Sequence, residues 1–520
     1  MTERPPVNPW LVAIAVMAST FMVVLDSTVV NVSLPHIAGD LSASIDESTW
    51  TLTAYLAANA IILPMTGWLA GVLGRKRLLL FSTAGFTATS VLCGMAPSME
   101  VLVVFRILQG LTGGTLQPIS QAVLLEAFPP HERGKAMSFW GLGVVVAPIL
   151  GPVLGGFLTD NYSWRWVFYI NLPVGALALA LCQAYLSDPP YLQRQTGPTD
   201  YRGLSLLAIG IAALQILLDK GQDDDWFASN FIVTLAVVSV VALAWFIVHE
   251  RRVQSPIVDL GVFRKVSYTL GSIIMALVMG VLFASMVLLP VMLQTLMGYS
   301  SIDAGMALAP RGMGSFAGMI LVGVLSARTD PRHLLAIGLA ATAGTLLWFS
   351  TLNLQAGYWD FFWPQLIQGL ALSLLFVPLT TLTMDGITPA AMGNATSLYN
   401  LIRNVGGGLG IAAATTLLAR LNTVHYAELA QYVSSLGPAA MGTLSQLTGG
   451  FVAQGGDPVA AQRQALAAVS GMVSREAALL SFLQIFRILA GTCLAMLPLV
   501  YIVRKPQHQQ GGTPHAAVVE

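Results

Sequence analysis

Arg106-Ile107-Leu108-Gln109-Gly110-Leu111 and Gln365-Leu366-Ile367-Gln368-Gly369-Leu370 are two versions of one string, set 259 residues apart. The match continues without a gap. Glu126 meets Asp385, Pro130 meets Pro389, Gly134 meets Gly393 and Ala136 meets Ala395; Ser138 then meets Ser397, Trp140 meets Tyr399 and Gly151 meets Gly410. Leu and Ala coincide cheaply in apolar sequence, whereas Gln-Gly, Pro and acidic matches do not. The chain therefore reads as a duplicated unit.

The medium in which that unit folds follows from composition. Of 520 residues, 55% are hydrophobic and only 10% charged, with a mean hydropathy of +0.72. Soluble domains carry about 25% charged residues, so this chain lacks the polar surface that water demands. A membrane-spanning helix needs about 20 mostly apolar residues, and open strands leave backbone groups unpaired in lipid. That test finds fourteen spans, in order 10–34, 49–73, 78–97, 101–125, 136–158, 165–186, 203–218, 231–248, 268–292, 303–326, 333–352, 361–383, 395–418 and 481–503, numbered here span 1 to span 14. The repeat pairs span 4 with span 12 and span 5 with span 13. The expected fold is thus an all-α polytopic membrane protein of two pseudo-symmetric six-helix bundles, spans 1–6 and 9–14, with spans 7 and 8 inserted. In residues this means a first bundle over 1–186, inserted helices over 187–265, five helices over 266–419, an external loop over 420–480, and a last helix and tail over 481–520. Parallel repeats of this kind build secondary transporters, with the binding site near midplane where the halves meet.

Orientation follows from basic residues. With the N-terminus inside, internal segments hold 16 of the 25 Lys and Arg, external segments hold Arg165, Lys220, Arg420, Arg463 and Arg475, and Arg106, Arg311, Arg403 and Arg487 lie within spans. The positive-inside rule then places both termini in the cytoplasm. The run 10–34 is too long for the apolar core of a secretory signal and reads as a span. Zero net charge argues against a nucleic-acid partner. Cys93, Cys182 and Cys493 each sit in an apolar run at no metal-ligand spacing.

Asp26 is the one carboxylate placed deep inside a span. A charge at helix centre costs about 2.5–3.5 kcal/mol on insertion scales, so either neighbouring hydroxyls cap it or it is a protonatable site. Arg106 is its candidate cationic partner, or else a structural arginine bonding helix carbonyls. Glu126 and Asp385, matched by the repeat, fall at the cytoplasmic ends of spans 4 and 12 and read as gate or salt-bridge groups, with a proton role as the alternative for Glu126. Arg311 and Arg403 line a cavity or lock a bundle. Gln109, Gln117, Gln365 and Gln368 are polar groups on apolar helices, for which interhelical bonds are the default; the symmetry of Gln109 and Gln368 favours cavity lining. Gly110/Gly114, Gly151/Gly155, Gly314/Gly318 and Gly406/Gly410 have small-xxx-small spacing for close helix approach. No phosphate-binding loop, Ser-His-Asp order or metal cluster stands out, so neither an enzyme nor a cofactor is expected.

Several strings together resemble the EmrB-like branch of the fourteen-span drug:proton antiporters, within the major facilitator superfamily. They are Leu25-Asp26-Ser27-Thr28-Val29-Val30-Asn31 in span 1, Gly67-Trp68-Leu69-Ala70-Gly71-Val72-Leu73-Gly74-Arg75-Lys76-Arg77 after span 2, and Arg106-x-x-Gln109-Gly110 in span 4. To these add Ala147-Pro148-Ile149-Leu150-Gly151-Pro152-Val153-Leu154-Gly155-Gly156 in span 5, Trp164 to Pro173 opening span 6, and Pro256 to Leu260 before span 9. The resemblance implies proton-coupled export of lipophilic drugs or toxic small molecules from the bacterial cytoplasm across the inner membrane. It implies proton coupling at Asp26, Arg106 and Glu126 and a cavity including Asn31, Gln109, Gln117, Gln365, Gln368, Arg311 and Arg403. Gating would involve Gly67, Gly74, Arg75, Pro148, Gly151, Pro152, Gly155 and Asp385. It also implies a periplasmic, EmrA-like adaptor and a TolC-like outer-membrane channel as partners, with segment 420–480 as a docking surface; the plainer reading of that segment is a solvated insertion. One position departs from the pattern: Gly71 stands where the motif has an Asp. The alternatives are an exporter dedicated to one metabolite or lipid-like molecule, and a membrane-embedded enzyme or sensor.

Overall fold

The computed structural model describes residues 8–129, 132–188, 200–222, 224–253, 256–326, 328–433, 438–454 and 457–502. Fourteen spans are present, one of them a bent pair. Span 1 is Pro9–Asp40, span 3 Arg75–Gly94, span 5 Arg133–Asn161, span 7 Tyr201–Lys220 and span 8 Asn230–Glu250. Span 2 is Ile45–Ile62 followed by Thr66–Leu73, span 4 is Met99–Gly113 followed by Leu116–Ala127, and span 6 is Trp166–Tyr169 followed by Asn171–Tyr185. Span 9 is Val266–Thr295, span 10 Ser301–Leu325, span 11 Pro331–Phe349, span 12 Tyr358–Met384, span 13 Met392–Tyr432 and span 14 Pro458–Ile502. Local sequence sets the ends. Ser44 and Glu47 form a reciprocal capping box at the start of span 2, satisfying two amides that would otherwise lack partners. Span 2 bends by 59° at its break and stops at Gly74, whose φ of 86° suits a residue without a Cβ.

Packing repeats as the sequence does. Span 1 packs on spans 5 and 6, span 4 on spans 2 and 3, and span 3 on span 6; span 9 packs likewise on spans 13 and 14, span 12 on spans 10 and 11, and span 11 on span 14. Glycines permit the tightest of these approaches. A Cβ on Gly110 would overlap the Tyr55 carbonyl, and one on Gly369 would overlap the Arg311 carbonyl. Gly151 and Gly155 lie against Thr28 and Val29 of span 1, and Gly406 and Gly410 lie against Ala276 and Gly280 of span 9. Apolar burial drives little helix association in lipid, so close contact and dispersion take its place.

The two bundles meet unevenly. Span 5 packs on spans 10 and 12, while Thr66–Leu73 of span 2 and Leu116–Ala127 of span 4 pack on span 13. Thr66–Leu73 and Leu116–Ala127 lie in the half of the molecule nearest the face where span 1 begins, as do the contacts of Ser138 with Gly323 and of Trp140 with Phe376. That face, called basic below, carries Arg75, Lys76, Arg77, Arg133, Lys135, Arg251, Arg252, Arg264, Lys265, Arg328 and Arg332. The other halves of spans 2 and 4, Ile45–Ile62 and Met99–Gly113, make no comparable contact with the second bundle. Span 7 packs on spans 2 and 13, and span 8 packs on span 7 with Val237, Val240, Val241 and Trp245 exposed to the surroundings.

The segment read as an external loop is largely helical. Spans 13 and 14 run 41 and 45 residues, about 60–70 Å at 1.5 Å per residue, against a hydrocarbon core of about 30 Å. Both therefore exceed the hydrocarbon core by about 30–40 Å. Residues 419–432 contain neither Gly nor Pro, so nothing ends span 13 at the membrane boundary. Asp457 caps the start of span 14, accepting from the Val459 and Ala460 amides at 3.2 Å. His425 bonds Gln484 at 2.7 Å and Tyr426 bonds Ser470 at 3.2 Å, joining the two extensions. A further helix, Pro438–Ala453, packs on span 14.

Overpacking a dense site costs about 1–3 kcal/mol. Gly369→Val should therefore lower the fraction of monodisperse protein surviving a heating series, while Gly442→Val, with nothing within 4 Å of its added Cβ, should match wild type by size-exclusion chromatography.

Candidate functional site

Asp26 is fully buried in span 1. Arg106 reaches it from span 4, Nη1 to Oδ2 at 2.7 Å, and the guanidinium is also fully buried. The other carboxylate oxygen, Oδ1, accepts from Gln109 Nε2 at 3.0 Å and from Asn171 Nδ2 at 2.6 Å. The donors are themselves fixed. Arg106 Nη1 also donates to Gln109 Oε1 at 2.7 Å, and its Nε donates to the Thr51 carbonyl at 3.2 Å. Its flat face covers the Tyr55 ring at 4.1 Å, a favourable placement for a cation. Asn171 Nδ2 bonds Ser90 Oγ at 2.9 Å, and Cys93 Sγ donates to Gln109 Oε1 at 3.5 Å. Spans 1, 2, 3, 4 and 6 thus converge on one carboxylate, and every group in the cage belongs to the first bundle.

A second cluster lies at the basic face. Arg75 pairs with Glu126 of span 4, both side chains nearly sealed from solvent, and Arg75 Nη2 donates to the Pro389 carbonyl across the bundle boundary at 3.2 Å. At Gly67 a Cβ would lie 2.6 Å from Asn394 Cα, so spans 2 and 13 meet backbone to backbone. Asp385 follows span 12 and lies within electrostatic reach of Arg133, at the start of span 5. The Lys76 amide donates to Asp188 Oδ1 at 2.8 Å, setting a carboxylate at the N-terminus of span 3, where the helix dipole favours negative charge.

Between these clusters, single polar bonds tie the bundles. Arg403 Nη2 donates to Gln117 Oε1 at 2.6 Å, and one turn away Asn400 Nδ2 donates to Gln121 Oε1 at 2.7 Å. Trp140 stacks on Phe376 with centroids 5.9 Å apart. Arg311 stays inside the second bundle, Nη2 donating to Ser285 Oγ at 3.2 Å, with Gln365 and Gln368 buried nearby on span 12. Asn31 is exposed on span 1, and Pro148 is half-buried within span 5. The side chain of Pro152 lies outside the described residues.

Residues 16–411 match the family model "Major Facilitator Superfamily". The chain belongs to the major facilitator superfamily. It is 38% identical over 504 residues, 96% of each chain, to the multidrug export protein EmrB of Escherichia coli K12. It is 36% identical to the fatty acid resistance protein FarB of Neisseria gonorrhoeae, over 96% of this chain and 97% of that one. In fold it is similar to the human organic anion transporter MFSD10 (TETRAN), with a TM-score of 0.60 at 14% identity, covering 96% of this chain and all of the other. It is an EmrB-like exporter of this superfamily, a multi-pass membrane protein.

Within the superfamily motif the departure at Gly71 now has a structural setting. Arg75 finds its carboxylate on Glu126, and the start of span 3 finds one on Asp188. The sequence did not single out Asn171, Ser90, Thr51 or Tyr55. Asn171 carried a signal, as a polar residue in the apolar opening of span 6. Thr51 contributes only its carbonyl, which no side-chain pattern reports. Gln121 and Asn400 were also passed over, although an amide on each of two apolar helices invites pairing.

Removing one member of a buried ion pair strands the other, typically at about 3–5 kcal/mol. Asp26→Leu and Arg106→Leu should each lower thermal stability sharply. The double variant should lose clearly less than the two losses added, as a double-mutant cycle on purified protein will read.

Proposed function

We propose that the chain is a proton-coupled antiporter that exports lipophilic small molecules from the cytoplasm by alternating access. The observation that carries this is the Asp26 cage: a carboxylate sealed in a span by Arg106, Gln109 and Asn171, on a chain similar throughout to a multidrug export protein. The basic face is the cytoplasmic one by the positive-inside rule, so the bundles touch at the cytoplasmic half and part toward the outside. In this state a proton arriving from outside neutralises Asp26 and weakens its hold on Arg106. The freed guanidinium then favours the state in which the basic-face contacts open. Loss of the proton to the cytoplasm restores the pair and favours substrate loading. Arg75, Glu126, Arg133 and Asp385 form the gate that must part, together with the Arg403–Gln117 and Asn400–Gln121 bonds.

Arg311 and Arg403 are buried cations, whereas Asp26 is already matched by Arg106. The interior is therefore not negative, which suits neutral and weakly acidic lipophiles over organic dications. The name of the fatty acid resistance relative favours a second reading, an exporter dedicated to lipid-like acids. The helices standing beyond the membrane on spans 13 and 14 fit a docking surface for a periplasmic, EmrA-like adaptor leading to a TolC-like channel.

In proteoliposomes with an imposed pH gradient and no ATP, wild type should accumulate a neutral lipophile against its gradient. Asp26→Asn should bind that lipophile yet fail to accumulate it; accumulation equal to wild type would place the coupling site elsewhere, with Glu126 next to test.

Replacing Pro438–Ala453 by a short Gly-Ser linker leaves the extensions of spans 13 and 14 whole. Transport in liposomes should persist while drug resistance of expressing cells falls to the vector level; unchanged resistance would make the helix a mere insertion.

A further inference from the structure

At the offset of 259 residues, the counterpart of Asp26 is Ser285, that of Arg106 is Gln365 and that of Gln109 is Gln368. The second bundle repeats the Asp26 cage with its charge inverted. A hydroxyl occupies the carboxylate position, and a guanidinium comes from span 10, Arg311 Nη2 lying 3.2 Å from Ser285 Oγ. Spans 10 and 12 touch at backbone level here, because Gly369 lies against the Arg311 carbonyl and Gly314 against the Leu366 carbonyl.

No ion pair answers the charge of Arg311 among the described residues. Residues 266–295, 304–325, 331–349, 361–384, 392–418 and 477–502 contain no Asp or Glu, so the interior of the second bundle offers no carboxylate. Arginine stays protonated in proteins, and a buried, unpaired charge is strongly disfavoured. Unused hydrogen-bonding groups lie on the stretch of span 12 that packs against the Arg311 turn. Gln365 is fully buried and Gln368 is 1% exposed, yet neither amide makes a hydrogen bond among the described residues, and Arg311 Nε likewise has none. In the first bundle the equivalent amide, Gln109, is spent on the carboxylate.

We propose that Ser285, Arg311, Gln365 and Gln368 form a monoanion site. The guanidinium and two amide NH2 groups are the donor set for an anion with the charge that Asp26 supplies in the other half, while Ser285, its hydroxyl donating to the Leu282 carbonyl at 2.8 Å, positions the guanidinium. The site lies in the half where Ile45–Ile62 and Met99–Gly113 make no comparable contact with the second bundle. Two sources share this chemistry: the carboxylate of an amphiphilic substrate, and an inorganic anion such as chloride. As a substrate subsite it rests on the export reading above; as an anion site it does not.

The test uses the full chain purified in detergent at constant ionic strength, with gluconate as the reference anion. Thermal stability is measured with added chloride and, separately, with decanoate below its micelle concentration. A ligand held only by the folded state raises the melting temperature, here by about 2 °C or more near saturation. A rise with decanoate alone supports the site with a substrate headgroup as occupant. A rise with chloride supports it with an inorganic occupant. Ser285→Asp supplies the carboxylate internally and should be more stable than wild type in gluconate and indifferent to both anions. Gln368→Met, which leaves the ion balance untouched, should weaken anion binding about tenfold. No shift in wild type with either anion, or full shifts retained in both variants, overturns the proposal. Protein that exports a neutral lipophile but shows no anion shift retires this site alone. An anion shift without proton-coupled export retires the export reading alone.

Discussion

A charge in lipid must be met by another group, and the pairing of Asp26 with Arg106 shows how much structure that requirement recruits. The ion pair by itself would not repay its desolvation. It persists because Gln109 and Asn171 fill the second carboxylate oxygen and the Thr51 carbonyl takes the guanidinium Nε. Each of those groups must arrive on its own helix, so the cage sets the relative placement of spans 1, 2, 4 and 6. Close approach then becomes necessary, and the glycines supply it: Gly110 against span 2, and Gly151 and Gly155 against the turn of span 1 just after Asp26. The polar cage and the small-residue contacts are one design, since neither geometry is reachable without the other.

The same economy distinguishes contacts within a bundle from those between bundles. Inside a bundle, helices are joined by backbone contacts over many turns. Between bundles, the described polar ties are single bonds, Arg403 with Gln117, Asn400 with Gln121 and Arg75 with the Pro389 carbonyl, set among the apolar packing of span 5 on spans 10 and 12. Interhelical hydrogen bonds in membranes are worth about 0.6–2 kcal/mol each. Under the export reading proposed above, parting the bundles would break bonds of that size rather than the backbone contacts inside each bundle.

Much of this was legible in the chain. The constant offset between Gln109-Gly110 and Gln368-Gly369 announced the duplicated fold, and a lone carboxylate in span 1 with an arginine in span 4 announced a pair, because charges are rare enough in lipid to be conspicuous. What escaped has a physical reason in each case. Thr51 acts through its backbone, and Ser90 is one hydroxyl among many in apolar helices. The extensions of spans 13 and 14 were cut short because hydropathy reports where a helix leaves the membrane and is silent on whether it continues in water. Ala-rich sequence such as that of 459–480 continues readily, and the Asp457 cap marked the true start.

The inserted pair shows what such a design permits. Span 7 is fastened to the first bundle by polar bonds: Asp219 accepts from the buried Thr53 hydroxyl, and Lys220 bonds Thr49 at 3.0 Å, both partners on span 2. Toward span 13 the described approach is apolar, Leu218 over Gly408 at ordinary contact distance. Hydrogen bonds hold register, so the described polar bonds tie span 7 to span 2. Span 8 then packs on span 7 and presents Val237, Val240 and Trp245 outward. Two helices are thereby added at the seam between the bundles, with their described polar bonds made to the first bundle.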